Sequence, residues 1–72
     1  MVEIDLHGLK HNEVEDQLEN WLLLQYNMDN FPIRVITGHS LVMKKLLSTA
    51  VDNQRFNIRE DYSNSGATIV YE

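Results

Sequence analysis

No cysteine occurs in this chain, which excludes disulfides and thiolate metal sites, so nothing points to secretion. Proline appears once and glycine three times, and no stretch reads as a flexible linker, a repeat or a low-complexity segment. Long apolar runs are missing too. Leu22-Leu23-Leu24 is the longest aliphatic run in its helix, far short of the ~20 residues that cross a bilayer. The N-terminus shows no basic start followed by an apolar run, and the expectation is a soluble, cytoplasmic protein with no membrane partner. Positive charge is the last shortage. Six lysines and arginines stand against eleven aspartates and glutamates, for a net charge of −5. A sequence-blind nucleic-acid binder is usually basic, because its cations must neutralise phosphates. Any contact with nucleic acid must therefore run through a local patch. Otherwise the partner is a protein, with a basic one the natural complement.

What is present is well patterned. The 72 residues make one small domain spanning 1–72, and 43% of them are apolar, enough for a folded core. Residues 3–6 read as a short strand. Asn12, with Glu15 three positions on, suggests a capping box for a helix over about 12–28. Its stripe is Val14, Leu18, Trp21, Leu22 and Gln25, with Leu24 and Met28 beside it and Glu13, Asp16 and Glu19 facing away. Asp29-Asn30 and Pro32 mark a turn. Ile33, Val35 and Ile36 then form a β-branched strand ending at Thr37-Gly38. Ser40 is the predicted cap of a second helix with Met43, Leu46, Leu47, Ala50 and Val51 as its stripe. Arg55 to Tyr62 alternates as a half-buried strand should, putting Arg55, Asn57 and Arg59 on one face. Ser63 to Gly66 is a turn, and Ala67 to Tyr71 closes an antiparallel hairpin. The order β-α-β-α-β-β predicts an α/β two-layer sandwich, a mixed four-stranded sheet with two helices on one face.

Two stretches share a grammar of strand, then small and ionisable residues, then helix. They are Ile4-Asp5-Leu6-His7-Gly8 and Thr37-Gly38-His39-Ser40. A strand-helix-strand unit of this size normally joins parallel strands, so both stretches should emerge at the carboxyl edge of the sheet. Ligand crevices of open α/β sheets lie there. Both helix N-termini would offer free N–H groups at that edge, and Gly8 and Gly38 would let an anion approach the backbone. The expectation is a pocket holding His7, His39, Thr37 and Ser40, suited to a phosphate. Period 2 along the first strand also places Asp5 and His7 on one face, where carboxylate and imidazole could meet by hydrogen bond.

These residues resemble the Smr (small MutS-related) domain over nearly the whole chain. Ile4-Asp5-Leu6-His7-Gly8 is similar to that family's Leu-Asp-Leu-His-Gly opening, with one conservative change. Val35-Ile36-Thr37-Gly38-His39-Ser40 falls where the family carries Thr-Gly-x-Gly or His-Gly-x-Gly, and Gly66-Ala67-Thr68-Ile69-Val70 is similar to its closing turn and strand. The resemblance implies a fold like the C-terminal domain of translation initiation factor 3. It also implies nucleic-acid binding and, in several branches, endonuclease activity on nicked, branched or messenger-RNA substrates, with some relatives acting at stalled ribosomes. Carried over residue by residue, Asp5, His7 and Gly8 form the candidate active centre, and Thr37 and Gly38 its second wall. One position departs: Ser40 stands where the family has its second glycine. Serine caps a helix better than glycine but limits backbone approach to a phosphate.

If the site cuts RNA, His7 is the natural general acid or base, Asp5 would fix its tautomer, and His39 would serve the leaving oxygen or hold the phosphate. That chemistry needs no cofactor. A divalent metal on Asp5, His7 and His39 is an alternative. The bland reading is that Asp5 and His7 merely tie a strand end to a neighbouring loop. His11 reads as a solvated helix start and Trp21 as core rather than a stacking platform. Lys44 and Lys45 read as a solvated face, with Lys44 placed to steer a phosphate, while Arg55 and Arg59 are the better small nucleic-acid patch. Two functions stay open. One is a nucleic-acid-binding domain with endonuclease chemistry on RNA or branched DNA. The other is a non-catalytic adaptor that binds a protein or ribosomal surface through the acidic first helix.

Overall fold

A computed structural model describes all 72 residues. The elements follow the predicted order: β1 (Glu3–Asp5), α1 (His11–Asn27), β2 (Ile33–Ile36), α2 (Leu41–Asn53), β3 (Asn57–Glu60) and β4 (Ala67–Tyr71). The sheet runs β1-β2-β4-β3. β1 pairs parallel with β2, Ile4 opposite Val35, and the ladder continues one step as the Leu6 N–H donates to the Ile36 carbonyl at 2.8 Å. β4 is antiparallel to both β2 and β3. The carboxyl ends of β1, β2 and β3 and the amino end of β4 therefore share one edge of the sheet.

Alternation decides the faces. Ile33 and Val35 of β2 and Val70 of β4 lie in one buried cluster with Val14, Leu18 and Leu22 of α1 and Met43, Leu47, Ala50 and Val51 of α2. Both helices thus cover one face, and apolar burial there is the main stabilising term. Trp21 and Leu46 pack against the cluster while staying partly exposed. At the far end of the sheet, the rings of Tyr26, Phe31 and Phe56 meet with centroids 4.7–5.6 Å apart.

The face without helices is protected by a charge. Arg34 alternates with Ile33 and Val35, so it projects from that side, opposite Glu3 on one strand and Ile69 on the other. Its Nε donates to Asp61 Oδ2 at 2.6 Å, and its Nη1 reaches Glu3 at 3.4 Å. Because β4 lies between β2 and β3, the Arg34–Asp61 pair spans β4. That bridge explains why Ile69 and Ala67 are buried on a face no helix covers. The Ser63 hydroxyl and backbone N–H also donate to Asp61, and with Arg34 they hold its carboxyl below the usual carboxylate range.

Three local expectations are corrected. Helix α1 starts at His11 with Lys10 in the cap position and no side-chain cap, so Asn12 lies inside the helix and builds no capping box. The strand expected over Arg55 to Tyr62 is only four residues long and exposed throughout, because the topology leaves it at the sheet edge, paired with β4 alone. Arg55 is not on that strand. It sits at φ 60° just past α2, where its N–H donates to Asp52 and the Phe56 N–H to Val51. That is a Schellman ending, repeated after α1 with Asp29 at φ 61°.

Candidate functional site

The sequence builds the carboxyl edge from three turns. In the first, the chain leaves β1 through a β-turn closed by the Leu9 N–H to the Leu6 carbonyl at 3.1 Å. Gly8 holds φ 84° at its third position, the value for which type II turns use glycine. Asp5 Oδ1 accepts the His7 backbone N–H at 2.9 Å. This corrects the expected contact between the Asp5 carboxylate and the His7 ring. Asp5 fixes the turn that carries the imidazole, a side-chain-to-backbone bond of the Asx type.

The second turn, Thr37 to Ser40, lies against the first. Gly38 has φ 64°, and a Cβ placed on it would stand 2.9 Å from His7 Cδ2. The imidazole therefore rests on the bare face of Gly38, and the two stretches do meet as their grammar predicted. Ser40 caps α2 as expected, its hydroxyl accepting the Met43 N–H at 3.1 Å. The first-turn N–H groups of Leu41 and Val42 stay free at the positive end of the helix. His39 is exposed beside them. Thr37, expected on the wall, is 2% exposed and its hydroxyl donates to the Gly38 carbonyl at 3.1 Å. It shapes the turn from beneath.

A third turn, outside the two stretches with the shared grammar, completes the site. The Gly66 carbonyl accepts the N–H groups of both Thr37 and Gly38, at 3.0 and 3.1 Å, and Gly66 packs on Gly38 so closely that an added Cβ would sit 3.3 Å from the Gly38 Cα. Asn64 Oδ1 in turn accepts the Gly66 N–H at 2.9 Å. A glycine between a polar turn and a strand carries this signal in the sequence, but strand order is needed to see which turn it supports.

The cationic residues do not form one patch. Lys44, one turn into α2, stands beside the closing turn. Arg59 faces the side away from the helices, across Ile69 from Arg34. Arg55 lies at the opposite end of the sheet, in a hollow with Leu23, Tyr26 and Phe56. No three histidine, aspartate or glutamate side chains come together as a metal-holding group, so Asp5, His7 and His39 do not converge as a ligand set. The edge is an open surface; the expected pocket around the two histidines is absent, and the chain's three cavities lie elsewhere.

The Smr domain family model matches residues 4–71, spanning all three turns and every strand and helix core. This chain belongs to the Smr domain family. No curated protein and no solved structure matches it. Within this Smr domain the Leu-Asp-Leu-His-Gly-like motif and the Thr-Gly motif occupy adjacent turns, and no helix is long and apolar enough to cross a membrane.

Proposed function

We propose that this Smr domain binds nucleic acid at the carboxyl edge of its sheet and cleaves RNA there by acid–base chemistry. The observation that carries this reading is the His7 imidazole lying on Gly38 beside the free N-terminal turn of α2. An anion can reach the free N–H groups of Leu41 and Val42 there, under the field of a helix N-terminus, next to an imidazole that can take or give a proton. His7 takes the proton of the ribose 2′-hydroxyl, whose oxygen attacks the phosphorus. The bond from phosphorus to the 5′ oxygen breaks, and His39 delivers the proton to that leaving oxygen. The products are a 2′,3′-cyclic phosphate and a free 5′-hydroxyl. Gly8, Gly38 and Ser40 shape the phosphate site, with Lys44 and Arg59 as flanking cations. Branched DNA is a binding substrate in this scheme, since it lacks the internal nucleophile.

The test is cleavage of a labelled structured RNA and a matched DNA, with and without chelator, using wild type and His7→Ala at equal folded concentration. Loss of RNA cleavage with His7, persistence under chelation and cyclic-phosphate ends are expected. A wild type that leaves every substrate intact defeats the nuclease reading. A second reading has its own support. Glu13, Glu15 and Asp16 are exposed on α1, and both ion pairs of the chain use Arg34 instead. That free acidic face suits an adaptor that docks on a basic protein or ribosomal surface. Recovery of a protein partner that is lost with Glu13→Lys, alongside no RNA binding at low salt, would favour it.

A further inference from the structure

The closing turn has a second side. Between α2 and the hairpin of β3 and β4, on the helix-covered face, lies a cleft of about 340 Å³ lined by Lys44, Glu60, Tyr62, Ser65 and Thr68. Its volume is at the small end of the range for ligand sites, room for one small planar group with its substituents. Tyr62 is 92% exposed, the most solvent-open large hydrophobic side chain of the domain, on a turn that is otherwise tightly tied. The ties use Asp61, Ser63 and Asn64, leaving the hydroxyls of Ser65 and Thr68 and the Tyr62 ring outside them. Asp61 borders the cleft too, but its carboxylate is spent on Arg34 and Ser63. The free charges are one cation, Lys44, and one anion, Glu60.

The cleft and the His7–Gly38 turn are two sides of one small structure. Gly66, adjacent to Ser65 in the chain, holds the Gly38 turn through its carbonyl, and Lys44 lies one helical turn from Ser40, about 6 Å along the axis. A polynucleotide with a phosphate at the Gly38 turn has the cleft on the far side of Gly66 as the next concave surface along its path. We infer that this cleft is a subsite for an unpaired nucleotide: Tyr62 stacks on the base, Lys44 meets the phosphate, and Ser65 and Thr68 offer hydroxyls to polar edges. A stacked base must be out of its helix, so the subsite selects single-stranded over fully paired nucleic acid. The inference rests on the reading that this edge binds nucleic acid.

The experiment is fluorescence anisotropy at low salt with a labelled oligoadenylate and a blunt RNA duplex of the same length. Tyr62→Ala is expected to weaken oligoadenylate binding about tenfold while changing duplex affinity less than about twofold, with Tyr62→Phe close to wild type. Lys44→Gln should lower the salt slope by about one contact, and Glu60→Gln should strengthen binding. The exposed Tyr62 ring makes no core contact, and an unchanged melting temperature checks that its variants fold. If the wild type binds oligoadenylate and Tyr62→Ala leaves that affinity unchanged, or weakens both probes alike, the subsite is overturned while the edge reading stands. If the wild type binds neither probe, both fall together.

Discussion

The His7 imidazole lies on the Cα of Gly38, so close that a methyl group there would approach Cδ2 to 2.9 Å. Gly38→Ala therefore does two separable things. It forces a left-handed conformation on a residue with a side chain, worth about 1–2 kcal/mol, and it pushes the ring off the turn. The melting temperature should fall by roughly 4–16 °C, the range for a domain of this size. Because His7 is exposed, the ring can swing away, and loss of binding or cleavage should exceed what the lost stability explains. A double-mutant cycle with His7→Ala checks this. The two substitutions should be non-additive, with Gly38→Ala less harmful once the ring is gone. Additivity would mean that the contact carries no function.

Asp5 gives a second separation of roles. Its Oδ1 accepts the His7 N–H, a bond that an asparagine carbonyl can also make. Asp5→Asn should keep stability near wild type, and Asp5→Ala should lower it by about 0.5–1.5 kcal/mol, measured by urea denaturation. If cleavage is present, Asp5→Asn should retain most of it. Loss of activity in Asp5→Asn at unchanged stability would show that the charge, not the turn, is what the site needs.

The fold was legible because its signals were local. Helix stripes, β-branched runs and the Ser40 cap each depend on neighbours a few residues away, and Val14, Leu18, Leu22, Met43 and Leu47 are buried as their spacing requires. The failures were positional. Arg55 to Tyr62 alternates like a half-buried strand, yet burial of Ile58 depends on strand order, and β3 is at the edge with Ile58 42% exposed. Arg55 looked like a strand residue because nothing in its side chain announces a left-handed helix ending, a place usually taken by glycine. At the site, the meeting of His7 with Gly38 followed from parallel pairing of β1 and β2. The part played by Gly66 did not, since it depends on β4 lying next to β2. The bridge from Arg34 over β4 to Asp61 was equally hidden, because its partners are 27 positions apart.

That bridge makes an acid-stability prediction. The Ser63 hydroxyl, the Ser63 N–H and Arg34 all favour ionised Asp61, so its folded pKa lies below the unfolded value near 3.9. A depressed carboxyl pKa adds stability that is complete above the unfolded value and drains away as pH falls through the folded one. Wild type should therefore lose stability below about pH 4 more steeply than Asp61→Asn, and the gap between them should close as acid is added. Ser63→Ala should show an intermediate slope. Chemical denaturation across that range measures it, and parallel curves for wild type and Asp61→Asn would refute the assignment.

Arg55 offers the test that divides stability from binding most sharply. It was expected in a nucleic-acid patch, but it holds φ 60° at the end of α2, on the sheet edge opposite His7. A non-glycine residue in that conformation costs about 1–2 kcal/mol that glycine avoids, offset in part by glycine's greater freedom in the unfolded chain. Arg55→Gly should accordingly be neutral or stabilising by up to about 1 kcal/mol, read from its urea midpoint. Its distance from the three turns predicts RNA affinity within about twofold of wild type, whereas Arg59→Ala and Lys44→Gln should each reduce the salt slope. If Arg55→Gly stabilises the domain yet weakens RNA binding as much as those two do, the nucleic acid must cross the whole sheet, and the surface proposed at the carboxyl edge is too small.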